Sequence, residues 1–316
     1  MHLIVPFAAS ASPACREAMA RLELPQLRAL MARLQPVHTD RADESTLTPP
    51  HERALARALG LPQADGCLPW AAWSLRAAGG EPGSDAWAWI TPCHWHVATD
   101  HVALDDPAAL MLDEPASRAL LADLAPWFAT DGITLQYEAP TRWLARGEVF
   151  RNLPCASLDR VIGRNLDTLS TGHSGDPQAA PLRRLQSEMQ MLLYTHPFND
   201  TRTAQRLPDV NSFWVSGAGA VAADFAPRAG PPPELELALR DAALRDDAQA
   251  WTAAWQALDA TRLGDMLARA ERGEAVTLTL CGERGAVTLA TAPRSLLSRF
   301  TGLFGRQAAS TLLDPL

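Results

Sequence analysis

The sequence predicts an α/β fold that carries a small α+β subdomain. Three observations support this prediction: an apolar run at residues 2–8 that is typical of a buried strand, amphipathic helical segments that recur along the chain, and a change to alternating strand patterns near residue 86. The chain has 316 residues, of which 47% are hydrophobic and 20% charged. A sizeable hydrophobic core can therefore form.

The N-terminal segments have clear helix boundaries. Residues 14–35 repeat leucine and methionine at helical spacing, and Pro25 interrupts them, so we expect two helical pieces that meet at this proline. Thr48 followed by two prolines predicts the start of the next helix, and Gly60 its end. A further short helix is predicted at residues 68–78.

The middle of the chain predicts strand, strand, helix and strand, in the ranges 86–90, 94–104, 114–129 and 133–138. Such an order in a short stretch indicates an α+β subdomain. We therefore assign residues 85–152 to an inserted subdomain, and residues 1–84 and 153–316 to an α/β core domain. In the second half of that core we expect a helix at 178–195, a strand at 212–216 and a loop at 226–234. A helix at 246–272, a hairpin around CGERG at 275–290 and a final helix at 294–313 follow.

The composition excludes several classes of protein. All 28 basic side chains are arginine, and no lysine is present. Schiff-base enzymes, Walker A nucleotide-binding loops and protein kinases all need a lysine and are excluded. The net charge of −8 disfavours nucleic-acid binding, and no apolar run is long enough for a membrane span. Five scattered cysteines without a C-x-x-C pair suggest reduced thiols in the cytoplasm.

The first candidate site is HWHVATDH. If it forms a strand, His94 and His96 project to one face, and Asp100 or His101 lies nearby. Two histidines and a third ligand can bind a metal. The alternative is that the histidines are structural or contact a substrate.

The glycines of SGAGAVA (216–222) fit the G-x-G-x-x-A pattern of dinucleotide-binding folds. A dinucleotide fingerprint opens a helix, whereas this chain runs into Pro227 and the prolines at 231–233. A tight turn after a strand explains the glycines better.

Polar residues near the end of the long helix form a second candidate site. His196 would be favoured in its charged form beside a helix C-terminus. Asn199 and Arg202 could hold an anion, because an arginine fork matches carboxylates and phosphates. The alternative is a capping network around the helix end. A similar polar cluster occurs at Arg160, Arg164 and Asn165.

The span LQSEMQMLLYTHPFNDTRTAQRLPDVNSFWVSGAG resembles a motif of archaeal-type, cofactor-independent phosphoglycerate mutases. A helix is followed there by His-Pro-x-Asn…Arg and then Ala-Asn-x-x-Trp-x-x-Gly-x-Gly. The matching positions are His196, Pro197, Asn199, Arg202, Asn211, Trp214, Gly217 and Gly219. Arg142 stands in the arginine place of a weaker match at ITLQYEAPTRWL. The whole chain looks most like the proteobacterial RpfE-type regulatory proteins, which are grouped with these mutases.

The resemblance implies a three-layer α/β/α sandwich of alkaline-phosphatase type with an inserted α+β domain. Mutases of the family hold two divalent metals with Asp and His ligands, but the first strand here, LIVPFAAS, is followed by no acid. The last histidine of the chain is His196, and CGERG occupies the place of a later Asp-His motif. The Gly-Ser-Asp nucleophile string is also missing, since ADEST offers Ser45 and Thr46 without the glycine. A two-metal site needs its full ligand set.

These observations favour a degenerate, non-catalytic relative of the mutases with a regulatory or anion-binding role in the cytoplasm. No cofactor is expected, and the partner would be a small anion or a protein, not nucleic acid or a membrane. Its candidate ligand-binding residues are Arg142, Arg164, Asn165, His196, Asn199 and Arg202.

Two alternatives remain open. One is a metal-dependent phosphomutase or phosphohydrolase with a relocated site, in which His94, His96 and His101 hold a divalent metal. The other is a pure interaction module, because ten tryptophans against two tyrosines could form an aromatic partner surface.

Overall fold

The structure is a computed structural model that describes residues 1–43, 45–97, 101–166 and 177–291. Its strands are β1 (His2–Val5), β2 (Leu34–Arg41), β3 (Trp87–Cys93), β4 (Trp95–Val97), β5 (Val102–Leu104), β6 (Thr134–Ala139), β7 (Arg142–Arg146), β8 (Ser212–Gly219), β9 (Glu234–Leu235), β10 (Thr277–Cys281) and β11 (Gly285–Thr291). Two sequence-based predictions, the helix at 294–313 and the role of Asp100, lie outside the described residues.

The α-helices are α1 (Pro13–Arg21), α2 (Pro25–Met31), α3 (Pro50–Leu59), α4 (Trp70–Ala77), α5 (Glu114–Thr130), α6 (Leu158–Val161), α7 (Ala180–Tyr194), α8 (Pro197–Ala204), α9 (Arg240–Leu244), α10 (Ala248–Leu258) and α11 (Gly264–Glu271). The predicted break at Pro25 and the predicted end at Gly60 are confirmed. Gly60 ends α3 with a φ of 84°, a backbone conformation that glycine adopts without strain.

The described residues form two compact units, and the fold is mixed α/β. The first unit contains residues 1–43, 49–61 and 227–291, and the second contains residues 45–48 and 62–226, apart from the residues that are not described. The second unit is wider than the predicted subdomain at 85–152. The reason is that β8, far along the chain, pairs with β3 and so belongs to the same sheet.

The first unit contains a five-stranded sheet with the order β2-β11-β10-β1-β9. β1 runs parallel to both β10 and β9, whereas β10, β11 and β2 pair in antiparallel fashion. The predicted hairpin around CGERG is therefore confirmed as β10 and β11. Helices pack against both faces of this sheet. Buried apolar side chains of α1, α2, α10 and α11, such as Cys15, Leu27 and Trp255, cover one face. Ala54 and Leu55 of α3 contact Ile4 and Cys281 on the other.

A buried carboxylate fixes the start of α2 in this unit. Asp259 is 4% exposed and accepts hydrogen bonds from the backbone N–H groups of Leu27 (2.7 Å) and Gln26 (3.2 Å). These N–H groups have no partner within the helix, because the first turn of any helix leaves its donors unpaired. Asp259 opens a π-helical turn (Asp259–Leu263) between α10 and α11, which places its side chain at α2.

The second unit contains a four-stranded antiparallel sheet with the order β6-β7-β3-β8. Along the chain its main elements follow as β3, α5, β6, β7, α7 and β8. This order of elements and strands is that of the split β-α-β, or ferredoxin-like, motif. β3, α5, β6 and β7 lie within residues 85–152, where the sequence predicted an α+β subdomain, whereas α7 and β8 lie outside that range.

Different helices pack against the two faces of the four-stranded sheet. One face packs against α5 and α7 through residues such as Phe128, Leu185 and Phe213. The other face holds Trp87, Trp89 and Leu144, and α4 packs against it through Ala71 and Ala72. Because β7 is buried on both faces, its sequence does not alternate, and it was not predicted as a strand.

Two further strand predictions differ from the structure. The helix predicted up to residue 35 ends at Met31, and β2 follows; residues 35–39 of this edge strand are all exposed, so they carry no alternating pattern. The single strand predicted at 94–104 is wrong. His94 lies between β3 and β4, and β4 pairs with β5 as a small antiparallel hairpin. The argument that His94 and His96 share one strand face does not hold across this break.

A close approach in the second unit requires glycine. Gly217, near the end of β8, has a φ of 62°, and a Cβ atom there would lie 2.9 Å from Trp89 Cε3 and 3.1 Å from Trp70 Cβ. A side chain at this position would meet both a strained backbone and the tryptophans that cover the sheet.

We predict that Gly217→Ala lowers the free energy of unfolding by about 3 kcal/mol, whereas Gly83→Ala lowers it by about 1 kcal/mol. Gly83 is a matched control, because it also has a φ of 62°, but a Cβ atom added there would have no described atom within 4 Å. Urea unfolding followed by tryptophan fluorescence measures both values. Equal losses in the two variants would show that packing against the tryptophans contributes nothing.

Candidate functional site

The motif segment from His196 to Gly219 contains α8, the link that follows it and β8, and His196 is the N-cap of α8. Its Nδ1 atom accepts a hydrogen bond from the Phe198 N–H (3.2 Å), and its Nε2 atom lies 3.8 Å from Asp123 Oδ2. His196 therefore lies beside two helix ends, because α7 ends at Tyr194 and α8 begins at Pro197. That the C-terminus of α7 favours its charged form stays a prediction.

Asn199 is buried, and its amide is fully used by the backbone. Its Nδ2 atom donates to the carbonyl oxygens of Leu193 and Val210, each at 2.8 Å, and its Oδ1 atom accepts from the Val210 N–H at 3.0 Å. Both donors and one acceptor are therefore occupied. These bonds join the end of α7 to the segment that enters β8.

Arg202 is 4% exposed, and its guanidinium also binds main-chain carbonyls. Nε donates to Pro208 (2.7 Å) and Nη2 donates to Leu110, while the guanidinium carbon lies 5.7 Å from the Phe198 ring centre. Burial lowers the pKa of Arg202, because it removes water from the charged group. Arg202 thus holds α8 against two loops of the second unit.

The remaining motif residues are also structural contacts. Asn211 forms two hydrogen bonds with the backbone of Trp95. Its Oδ1 atom accepts from the Trp95 N–H (2.7 Å), and its Nδ2 atom donates to the Trp95 carbonyl (3.0 Å). The indole N–H of buried Trp214 donates to Ala156 O at 2.9 Å. Gly219 lies against Pro69, whose Cβ would be 3.0 Å from a side chain at that position. The motif therefore connects α7, α8, β4 and β8.

The two regions that the sequence singled out separately are neighbours in the second unit. His94 Nδ1 lies 2.9 Å from the carbonyl oxygen of Asp209, two residues before Asn211. His96 is exposed on β4, and His101 is half-buried just before β5. In the part of the chain that the structure describes, no three His, Cys, Asp or Glu side chains gather in a group that could hold a metal ion.

The other predicted arginines lie elsewhere in the second unit. Arg142 is an exposed residue of β7 that pairs with Glu138 (3.2 Å) and lies 5.2 Å from the ring centre of Trp89. Arg164 and Asn165 follow α6, where Asn165 forms a β-bridge with Ala103. Arg142 therefore contacts Glu138 and Trp89, whereas His196, Asn199 and Arg202 lie together around α8.

Arg160 and the Ser45–Thr48 segment form a separate network. The Arg160 side chain is buried and donates through Nε to Thr46 O at 2.7 Å. Asp65 accepts from the N–H groups of Leu47 and Thr48, both at 2.9 Å. The backbone beside Ser45 is thus fixed by side chains whose partners are distant in sequence, which sequence patterns alone did not reveal.

A carboxylate that the sequence analysis did not single out lies at the ends of two parallel strands in the first unit. Glu283, just after β10, accepts from the Ala11 N–H (2.7 Å) and the Ser10 hydroxyl (3.4 Å), in the loop that follows β1. The Ala8 N–H also donates to Cys281 O at 2.7 Å. Ligands of open α/β sheets bind beside the carboxyl ends of the strands, and here these loops bind one another.

Comparison with solved structures gives distant similarities. The chain is similar to the cofactor-independent phosphoglycerate mutase from Thermoplasma acidophilum, with 11% identity over 99% of this chain and 97% of that chain and a TM-score of 0.37. It is also similar to the PH0037 protein from Pyrococcus horikoshii, with 11% identity over 92% and 87% of the two chains and a TM-score of 0.43.

No protein-family model and no curated protein matches the chain. Among the described residues, no helix is both long enough and apolar enough to cross a membrane.

We predict that Asn199→Ala lowers the free energy of unfolding by about 3 kcal/mol, because the N–H and carbonyl of buried Val210 lose their bonds to the amide and the Leu193 carbonyl loses one of its two donors. Thr201→Ala is the control on the same helix: Thr201 is exposed and bonds only within α8, so its loss should stay within about 0.5 kcal/mol. Urea unfolding measures both. If Asn199→Ala is as stable as Thr201→Ala, the amide does not hold this segment together.

Proposed function

We propose that the chain is a non-catalytic relative of the cofactor-independent phosphoglycerate mutases that acts by binding rather than by turnover. The regulatory part of this proposal comes from its sequence resemblance to RpfE-type proteins, and the three-layer arrangement of alkaline-phosphatase type is proposed with it. The observation that carries the proposal is that Asn199, Arg202 and Asn211 use their side-chain polar atoms for hydrogen bonds to the backbone of the second unit.

The contacts of the motif argue against an anion pocket at Asn199 and Arg202. A ligand phosphate would have to displace bonds from Asn199 to Leu193 and Val210 or from Arg202 to Pro208. Displacing the bond to Val210 takes the Asn199 donor from the carbonyl of a buried residue, which costs about 1–3 kcal/mol. Any anion is therefore more readily held by an arginine with greater exposure, such as Arg142 or Arg164.

The first unit supports the loss of catalysis independently. The loop after β1 contains alanine, serine and proline but no acid, and Glu283 in the loop after β10 caps the Ala11 N–H. One oxygen of this carboxylate, Oε1, accepts both the main-chain N–H of Ala11 and the hydroxyl of Ser10. The edge of the sheet that would carry metal ligands in a mutase instead joins two loops.

We predict that the purified chain does not interconvert phosphoglycerates in the presence of Mn²⁺, Mg²⁺ or Co²⁺, because the sequence lacks the family's metal ligands. A coupled mutase assay of the wild type and Ser45→Ala measures this. Turnover by the wild type that Ser45→Ala abolishes would contradict the proposal. So would near-stoichiometric zinc or manganese that His94→Ala removes, since it would favour the relocated metal site.

A thermal-shift panel of phosphoglycerates and nucleotides distinguishes binding of a small anion from binding of a protein partner. A flat response favours a protein partner. A shift that Arg142→Ala or Arg164→Ala removes favours a small anion held by that arginine. Arg142 is exposed and its ion pair with Glu138 lies outside the motif, so Arg142→Ala should retain the folded second unit.

A further inference from the structure

We propose that Cys67 and Cys155 form a disulfide when the chain meets a low-molecular-weight disulfide such as oxidised glutathione. All five cysteines are described and are free thiols, and Cys67 is the one with appreciable solvent exposure. Cys155 is buried beside it in the second unit. This inference is independent of the proposed function, because it concerns neither the motif nor a metal site.

The backbone brings the two cysteines together. The Cys155 N–H donates to the carbonyl oxygen of Gly66 at 2.9 Å. That oxygen belongs to the peptide unit that leads into Cys67, and in a trans peptide it lies about 2.8 Å from the next Cα atom. The Cα atoms of Cys67 and Cys155 are therefore at most about 7 Å apart, close to the 4.4–6.8 Å that disulfides span.

The two sulfur atoms are directed at the same short stretch of backbone. Cys67 Sγ lies 4.0 Å from the carbonyl oxygen of Asn152, and Cys155 Sγ lies 3.5 Å from that of Leu153. These carbonyls belong to consecutive residues, so both thiols approach one loop from the segments that the Gly66 bond joins. The two thiols also interact electrostatically at this range.

The surroundings hold both cysteine segments in place. Leu47 packs closely against Gly66, since a Cβ atom added there would lie 2.6 Å from Leu47 Cδ1. The Gly66 N–H donates to the Thr48 hydroxyl (2.8 Å), and the Ser157 N–H donates to Leu47 O (3.1 Å). A disulfide would add a covalent link to a region that hydrogen bonds already order.

The exchange proceeds in two steps. The Cys67 thiolate attacks one sulfur of oxidised glutathione, which breaks the glutathione disulfide and releases one glutathione thiolate. Cys155 then loses its proton to solvent or buffer, and its sulfur attacks Cys67 Sγ, which forms the protein disulfide and releases the second glutathione. One disulfide is reduced to two thiols as two cysteine thiols are oxidised.

Both steps are slow at neutral pH for an identifiable reason. Burial raises the pKa of Cys67, the carboxylate of Asp65 raises it further, and burial raises the pKa of Cys155 well beyond that of a free thiol. Because the pKa is raised, a smaller fraction of the thiol is ionised at neutral pH. The rate of oxidation should therefore increase as the pH rises from 7 to 8.5.

Oxidation of the full chain with glutathione disulfide, followed by intact mass and peptide mapping, tests the proposal. We expect a mass loss of about 2 Da without a glutathione adduct, two fewer alkylatable thiols, and one cross-linked peptide pair that contains Cys67 and Cys155. The Cys93→Ser variant, which alters another buried cysteine of the same unit, should behave like the wild type. Cys67→Ser, a change at the more exposed partner, should abolish the mass loss.

Three outcomes would overturn the proposal. The first is a chain whose five thiols all resist oxidation at pH 8.5. The second is a stable Cys67–glutathione adduct with Cys155 still alkylatable, since it would show that the buried thiol cannot reach Cys67. The third is a cross-link between a different pair. Mapping of the wild-type chain distinguishes these results even if a serine variant fails to fold.

Discussion

The backbone between the end of α7 and the start of β8 must find hydrogen-bond partners outside regular secondary structure, and two buried side chains provide them. Asn199 bonds to Leu193 and Val210, and Arg202 bonds to Pro208 and Leu110. Buried carbonyls and N–H groups without partners are costly, so such side chains have little freedom to serve a ligand. The entry of β8 into the four-stranded sheet depends on these bonds.

The same constraint explains other polar groups that could suggest chemistry. Asp259 caps α2, and Glu283 joins the loops after β1 and β10 in the first unit. In the second unit Asp65 binds the backbone beside Ser45. Each carboxylate accepts main-chain N–H groups, a role that needs a charge or a lone pair but no substrate.

The sequence predicted the elements whose signals are local. The break at Pro25, the end of α3 at Gly60 and the hairpin around CGERG follow from proline, glycine and short-range alternation. β2 and β7 were missed, because one is exposed along its length and the other is buried on both faces. The position of β8 beside β3 could not be read from the sequence either, since strand pairing across more than a hundred residues leaves no local pattern.

The candidate site was predicted in part. The motif residues were identified by position, and their capping alternative was already recognised, but spacing cannot distinguish an anion clamp from a backbone clamp. That distinction depends on Leu110 O and Pro208 O lying beside Arg202, and on Asp209 O lying beside His94. These acceptors are main-chain atoms that any residue type could supply, so the sequence carries no signal for them.

The most direct test of this account is calorimetric titration of 3-phosphoglycerate into the wild type and Arg202→Lys, with the free energy of unfolding measured for both. Lysine keeps the charge but cannot donate along the two directions of the guanidinium. The account predicts no ligand binding that depends on Arg202 and a loss of stability of about 2 kcal/mol in the variant. Binding by the wild type that disappears in an equally stable Arg202→Lys would contradict it.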